Sequence, residues 1–323
     1  MSIQMVKPTV ISTFAGCGGS SLGYKLAGFR ELLAIDFEKN AVDTFRLNFP
    51  GIDCWQRDIS TVTGDEIFTH CNIKKGDLDV FDGSPPCQGF STAGKRNIVD
   101  SRNDLFKHYI RLVNELQPKI FVMENVSGMI KGTMKGRFIE IMIQLKNTGY
   151  NVKCKSLNSA NYSVAQARNR LFFIGVRPDL NKEPVFPITK HKILTSGEMI
   201  SNITNSDEEL KQSYITNKVI KDNYEFIPKG KTGESISKGS YFNTIRLNDR
   251  KPSPTITKTR GLLHFNEKRY LTIKEVKRLC SFPDDFILVG SVYNQWARLG
   301  NAVMPNQMKA IAETLKTEIL ENI

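Results

Sequence analysis

The sequence predicts an α/β protein built on a mostly parallel, doubly wound sheet, with a smaller and more irregular second domain. Three observations carry that expectation. Short apolar or β-branched runs alternate with amphipathic helical patterns through the first half of the chain. Those runs are apolar nearly throughout, as expected of strands covered on both faces. From about residue 178 the texture turns polar and weakly periodic, and regularity returns only near residue 270.

"TVISTF" (9–14) is the first strand, ended by the glycine-rich turn "AGCGGSSLG". "ELLAID" (31–36) is the second, and Asp58 in "RDIS" sits where a third should end. "LDVFDG" (78–83), "KIFVMEN" (119–125), "NVKCKSL" (151–157) and "RLFFIGV" (170–176) follow. Between them, Leu105, Ile110, Val113 and Leu116 recur near the helical period, as do Phe138, Ile141, Met142 and Leu145, with Gly149 as the C-cap. After "PDLNKEPVFPITKHK" the chain is rich in Lys, Asn, Ser and Thr. Between Phe226 and Arg260 there are eight basic residues (Lys229, Lys231, Lys238, Arg246, Arg250, Lys251, Lys258, Arg260) against two acidic ones (Glu234, Asp249). Thr272 and Glu275 form a Thr-x-x-Glu capping box, and a last helix from Pro305 carries Met308, Ile311, Ala312, Leu315 and Ile319 on one face. The expected division is residues 1–180 plus 289–323 for the large domain and 181–288 for the small one.

The 323 residues are 40% apolar, enough for a sizeable core, yet no apolar run approaches the roughly 18 to 20 residues that span a bilayer. The N-terminus lacks an export pattern, so a soluble, unexported protein is expected. Lys plus Arg is 45 against 33 for Asp plus Glu, a net charge of +12, which points to a polyanionic partner, nucleic acid first. The six cysteines include no Cys-x-x-Cys pair, and the four histidines form no ligand spacing with them. Neither zinc nor a disulfide framework is expected.

The candidate chemistry gathers at strand ends. Gly16, Gly18 and Gly19 allow a tight turn and close approach of a ligand at a helix N-terminus. Asp36 lies about 20 residues on, where an acid grips ribose hydroxyls in such folds, and Phe37 could stack on an adenine. The pattern is neither the GxGxxG of a dehydrogenase nor a Walker loop. Cys87, in "DGSPPCQGFS", stands just past the fourth strand behind two prolines that fix the approach. Glu124 ends the next strand, so thiol and carboxyl form a candidate nucleophile and acid pair. Arg168 and Arg170, two apart in "QARNR", are expected on one strand face.

Six stretches occur in a telling order: "FAGCGG", "GSPPCQGFS", "MENV", "QARNR", "RKPSPTIT" and "RLGNAV". Together they resemble the DNA (cytosine-5)-methyltransferases of the compact bacterial restriction–modification type, from about Val10 to the last helix. The resemblance implies a Rossmann-like S-adenosylmethionine-dependent methyltransferase sheet, with the segment from about 180 to 270 as target-recognition region. It implies methyl transfer to C5 of a cytosine in a specific duplex DNA sequence, by base flipping and a Cys87–C6 adduct. Phe14, Gly16, Cys17, Gly18, Gly19, Asp36, Phe37, Asp58, Ile59, Pro86, Leu105 and Asn301-Ala302-Val303 would hold S-adenosyl-L-methionine. Glu124 would bind the pyrimidine N3 and exocyclic amine, Arg170 would hold O2, and Arg168 would support the thiol or the Glu124 side. The polar, basic stretch after Cys87 would close as a lid. Asp36 departs from the family's usual Glu, and "GNAVMPN" from the commonest ending of its motif. The implied setting is a cytoplasmic, nucleoid-associated monomer acting on double-stranded DNA; a cognate restriction endonuclease in the same system is one expectation, without a stable complex, and a solitary or phage-borne enzyme would carry the same sequence features. A tRNA cytosine-5 methyltransferase using the same motifs is the alternative. A decayed DNA-binding regulator and a nicotinamide oxidoreductase account less well for Cys87 with Glu124.

Overall fold

The computed structural model describes residues 7–86, 104–130, 132–188 and 192–323. Cys87 and the proposed lid through Asn103 lie outside the described residues. In chain order the first elements are β1 (Thr9–Thr13), α1 (Gly19–Leu26), β2 (Arg30–Asp36), α2 (Lys39–Asn48), β3 (Cys54–Gln56), α3 (Gly64–Cys71) and β4 (Val80–Gly83). They are followed by α4 (Leu105–Leu116), β5 (Ile120–Val126), α5 (Lys135–Lys146), β6 (Asn151–Asn158), β7 (Gln166–Ala167) and β8 (Asn169–Val176). Seven strands form one sheet in the order β3-β2-β1-β4-β5-β8-β6. Neighbours from β3 to β5 are parallel, and β5 with β8 is antiparallel. The sheet is therefore mostly parallel, as its apolar runs require.

Burial follows the pleat. Ile11, Leu33, Ile35, Phe81, Phe121 and Met123 point to one face, where they pack with Ile67 of α3, Leu112, Val113 and Leu116 of α4, and Ile141 and Leu145 of α5. Tyr109 enters this core with its hydroxyl donating to the carbonyls of Phe81 (3.0 Å) and Val122 (2.9 Å), which satisfies the one polar atom it brings. Gly83 is required beside it, because a Cβ there would come within 2.6 Å of the Tyr109 ring. The C-cap of α5 is Asn147 and not Gly149; Gly149, at φ +86°, serves the turn into β6.

The chain divides into two compact units: residues 1–157, 169–188 and 308–323, and residues 158–168 with 189–307. The sequence reading drew its boundaries elsewhere, and segments 158–168 and 289–307 group with the second unit. That unit contains α6 (Ser196–Ile200), α7 (Asp207–Ser213), α8 (Lys218–Asp222), β9 (Ile245–Arg246), β10 (Ser253–Pro254), β11 (Leu262–Leu263), α9 (Ile273–Leu279), α10 (Val292–Asn301) and the start of α11 (Pro305–Glu318). β7 pairs in parallel with β10, and β9 with β11. Within this unit, Ile215, Ile220, Tyr224, Ile227 and Leu263 form a small core. The expected capping box at Thr272 and Glu275 is present. Glu275 also takes both terminal nitrogens of the buried Arg269, at 2.9 and 2.7 Å. No helix among the described residues is long and apolar enough to cross a membrane.

Candidate active site

Strand order reverses between β1 and β4, and ligands of such sheets bind in the crevice at that switch point, beyond the carboxyl ends of the strands. The register aligns those ends, since Thr13 is opposite both Ile35 and Gly83, and Gly83 is opposite Met123. The residues after β1, β2, β4 and β5 therefore emerge side by side.

The turn after β1 runs through positive φ at Phe14 (52°), Gly16 (57°) and Gly18 (93°). Gly18 must lack a side chain, because a Cβ there would overlap the Phe49 ring. The Asp36 carboxylate ties this turn down: Gly16 N–H donates to Oδ2 and Glu38 N–H to Oδ1, both at 2.8 Å. Beside Gly16 a Cβ would meet open space. Phe37, just past the end of β2, directs a ring that is 73% exposed into solvent, where it could stack on a ligand. Asp58 caps the turn that contains Ile59, and hydrogen bonds from Ser60 hold its carboxyl below the usual range. Cys17 is buried, so its side chain belongs to the core and only its backbone could serve a ligand. Leu105 begins α4 and is partly buried.

Glu124 and Arg170 form an ion pair at 2.8 Å, with side chains only 11% and 15% exposed. The antiparallel register explains the meeting: Arg170 is opposite Val126, two residues from Glu124 on the same face. Arg170 also donates to the Asn169 carbonyl at 2.8 Å. Next to Glu124, the buried Asn125 donates from Nδ2 to the Pro85 carbonyl at 3.1 Å and accepts from Val126 N–H at 2.8 Å. Asn125 thus pins the Ser84–Pro86 run as it leaves β4, a role that the sequence reading missed although the residue adjoins Glu124 in "MENV".

Arg168 corrects another expectation. It does not share a strand face with Arg170, because residue 168 falls in the break between β7 and β8 and the two-residue period does not run through it. Its guanidinium is buried in the second unit and donates from Nη1 to the carbonyls of Ile256 (2.9 Å) and Gly300 (2.8 Å). Gln166 joins in, accepting from Ile256 N–H at 2.9 Å. Arg168 therefore fastens "QARNR" to "PSPTIT" and "RLGNAV". Asn301 ends α10, exposed, while Ala302 and Val303 are buried in the same unit.

A second missed feature lies beneath the crevice. Asp82 of β4 is buried, accepting from Tyr24 Oη at 3.3 Å, and burial pushes its carboxyl up to about 8. Glu31, which accepts from Ser21 Oγ at 2.8 Å, is pushed up to about 7 for the same reason. Nothing in the apolar run "LDVFDG" marks its second aspartate as buried.

A doubly wound sheet with an anchored glycine turn after β1 and, across β4, an Arg-held carboxylate on β5 defines a Rossmann-like fold of the kind that methyltransferases use. The comparisons narrow this further. The family model of the C-5 cytosine-specific DNA methylases matches residues 8–317. The Type II methyltransferase M1.HphI of Haemophilus parahaemolyticus is 37% identical over 330 residues, covering 97% of this chain and 88% of that protein. M.NgoFVII of Neisseria gonorrhoeae, also a Type II methyltransferase, is 33% identical and covers 96% and 86%. Among solved structures, a candidate DNA modification methyltransferase encoded within an Escherichia coli prophage superposes with a TM-score of 0.81 at 25% identity, covering 97% and 99%. The chain belongs to the C-5 cytosine-specific DNA methylase family and is a DNA (cytosine-5-)-methyltransferase.

Proposed function

We propose that the enzyme methylates one cytosine within a specific duplex DNA sequence of a Type II restriction–modification system, taking the base out of the stack and bonding it transiently to Cys87. The observation that carries this reading is the Glu124–Arg170 pair beside the β4 exit held by Asn125. Cytosine C5 is a poor nucleophile while the 5,6 double bond is intact. In the proposed course the Cys87 thiolate adds to C6, and the electron pair of that double bond moves into the ring toward C5. Glu124, having taken up a proton from solvent, donates a hydrogen bond through that proton to N3 and accepts one from the exocyclic amine at its other oxygen, which stabilises the charge that the ring takes up. Arg170 fixes Glu124 and offers donors to the cytosine O2. Once C5 is alkylated its proton leaves, the C6–S bond breaks, and the double bond and the thiolate are restored. The target carbon is out of reach inside a stacked duplex, so the base must be flipped.

S-adenosyl-L-methionine fits the crevice at the strand ends: open space lies beside Gly16, the Phe37 ring is bare, the Asp36 carboxylate holds the turn, and Asp58 follows β3, the strand next to β2. When bound, it supplies an electrophilic sulfonium methyl group. The relatives are Type II methyltransferases, which favours DNA over tRNA as the substrate. Bisulfite sequencing of DNA from cells expressing the chain tests this directly. Methylation at one defined sequence is expected, and its loss in Cys87→Ala with cofactor binding retained. Transfer to tRNA alone would sink the DNA reading, and undiminished transfer by the variant would sink the adduct.

A further inference from the structure

The turn Tyr241–Thr244 of the second unit combines a locked backbone with bare side chains. Thr244 N–H donates to the Tyr241 carbonyl at 2.9 Å, which closes the turn and puts Phe242 and Asn243 at its tip. Two neighbours fix the main chain. Gly233 N–H donates to the Thr244 carbonyl at 2.8 Å, and a Cβ on Gly233 would come within 2.6 Å of the Tyr241 Cβ. Gly261 lies so close that a Cβ would overlap the Asn243 carbonyl oxygen. Tyr241 itself is held at φ +55°, a left-handed conformation uncommon for a bulky residue, while its side chain packs on the small core of Ile220, Tyr224 and Leu263. Strain of this kind persists only where the surroundings over-determine it, and it clusters at functional positions.

The tip then presents a Phe that is 59% exposed and an exposed Asn. Packing does not need either side chain. Around them in sequence the exposed cations Lys231, Lys238, Lys251 and Lys258 give the segment the charge that phosphates attract. Phosphate contacts set register but read no sequence. A rigid tip offering one apolar plane and one amide has the chemistry to read a base: an amide pairs with an adenine edge, and a ring packs on a thymine methyl or against an unstacked base.

We propose that Phe242 and Asn243 are specificity-determining residues that contact bases of the duplex DNA target; this rests on the DNA reading above. The test uses the full chain and begins with the sequence that the wild type methylates, found by bisulfite sequencing. Phe242→Ala, Phe242→Leu and Asn243→Ala are then compared on duplexes carrying that site and each of its single-base variants. Unchanged melting and cofactor binding are expected, since both side chains are exposed. Loss of either contact should lower kcat/KM on the cognate duplex by roughly 5- to 100-fold and relax discrimination at one position of the site. The salt dependence of binding should stay as in the wild type, and Phe242→Leu should keep part of the discrimination. Variants with wild-type rates and an unchanged ranking of single-base variants would overturn the proposal. So would a loss that is equal on all duplexes and accompanied by a shallower salt slope, which would mark a phosphate contact. If the wild type methylates no DNA at all, the substrate reading has failed first.

Discussion

The buried carboxyl of Asp82 makes the stability of the sheet depend on pH in a direction opposite to that of most acids. Its carboxyl rises from 3.8 to about 8 because burial penalises the charged form; Ser20, Tyr24, Glu31 and Glu124 are its other polar influences. A group with a raised folded pKa binds its proton more tightly folded than unfolded. Its contribution is therefore greatest below about pH 4 and is lost as pH rises toward about 8. Each pH unit in that window corresponds to roughly 1.4 kcal/mol, so the whole interval sets an upper bound of about 6 kcal/mol. Asp82→Asn keeps the acceptor for Tyr24 Oη and removes the ionisation. Part of the cost is repulsion from Glu31, which local rearrangement also relieves, so a gain of about 2 to 4 kcal/mol at pH 8.5 is expected, with little change at about pH 4. Urea midpoints followed by far-UV circular dichroism at both pH values measure it. Equal pH slopes for wild type and variant, or a variant less stable at pH 8.5, would refute the reasoning.

Other outcomes follow from the site and its supports. Arg170→Ala should lower single-turnover methyl transfer about 100-fold or more, as loss of an aimed charged donor does, and Arg170→Lys should recover only part. Arg168→Ala leaves the Ile256 and Gly300 carbonyls without that donor, at about 1–3 kcal/mol each, so melting should fall clearly; an unchanged melting curve would show that the bonds do not matter. Gly300→Ala drives a methyl into the Thr257 carbonyl and should destabilise by about 1–3 kcal/mol in the same assay. Binding to DNA should weaken steeply between low and moderate salt in a filter or anisotropy titration, as counterion release requires.

The middle of the large sheet was legible because its strands are buried on both faces, and the runs at 31–36 and 170–176 match the strands to within a residue at each end; the edge strand at 151–158, mostly exposed or half-buried, showed as a polar–apolar alternation. The positions of Asp36 at the end of β2 and Glu124 late in β5 were legible for the same reason. What failed depended on partners distant in sequence. Arg168 looked like the twin of Arg170 until the break between β7 and β8 separated them. Asp82 reads as one more residue of a strand, and only its burial in the folded chain, with the charges of Glu31 and Glu124 nearby, makes its carboxyl expensive to ionise. The short helices α6 to α8, of five to seven residues, lack the turns needed for a periodic signal.

The guanidinium of Arg168 has a consequence for how such proteins can change. It reaches a carbonyl 88 residues on and another 132 residues on, and beside it β7 pairs with β10. The part of the intervening chain from residue 189 to the clasp lies in the same unit and is a long loop-like excursion closed at that base. Once the base is closed, lengthening the loop is cheap in entropy, about 0.6 kcal/mol for each doubling. New reading surfaces can then be tried out between the two ends of the clasp while the clasp itself stays the same.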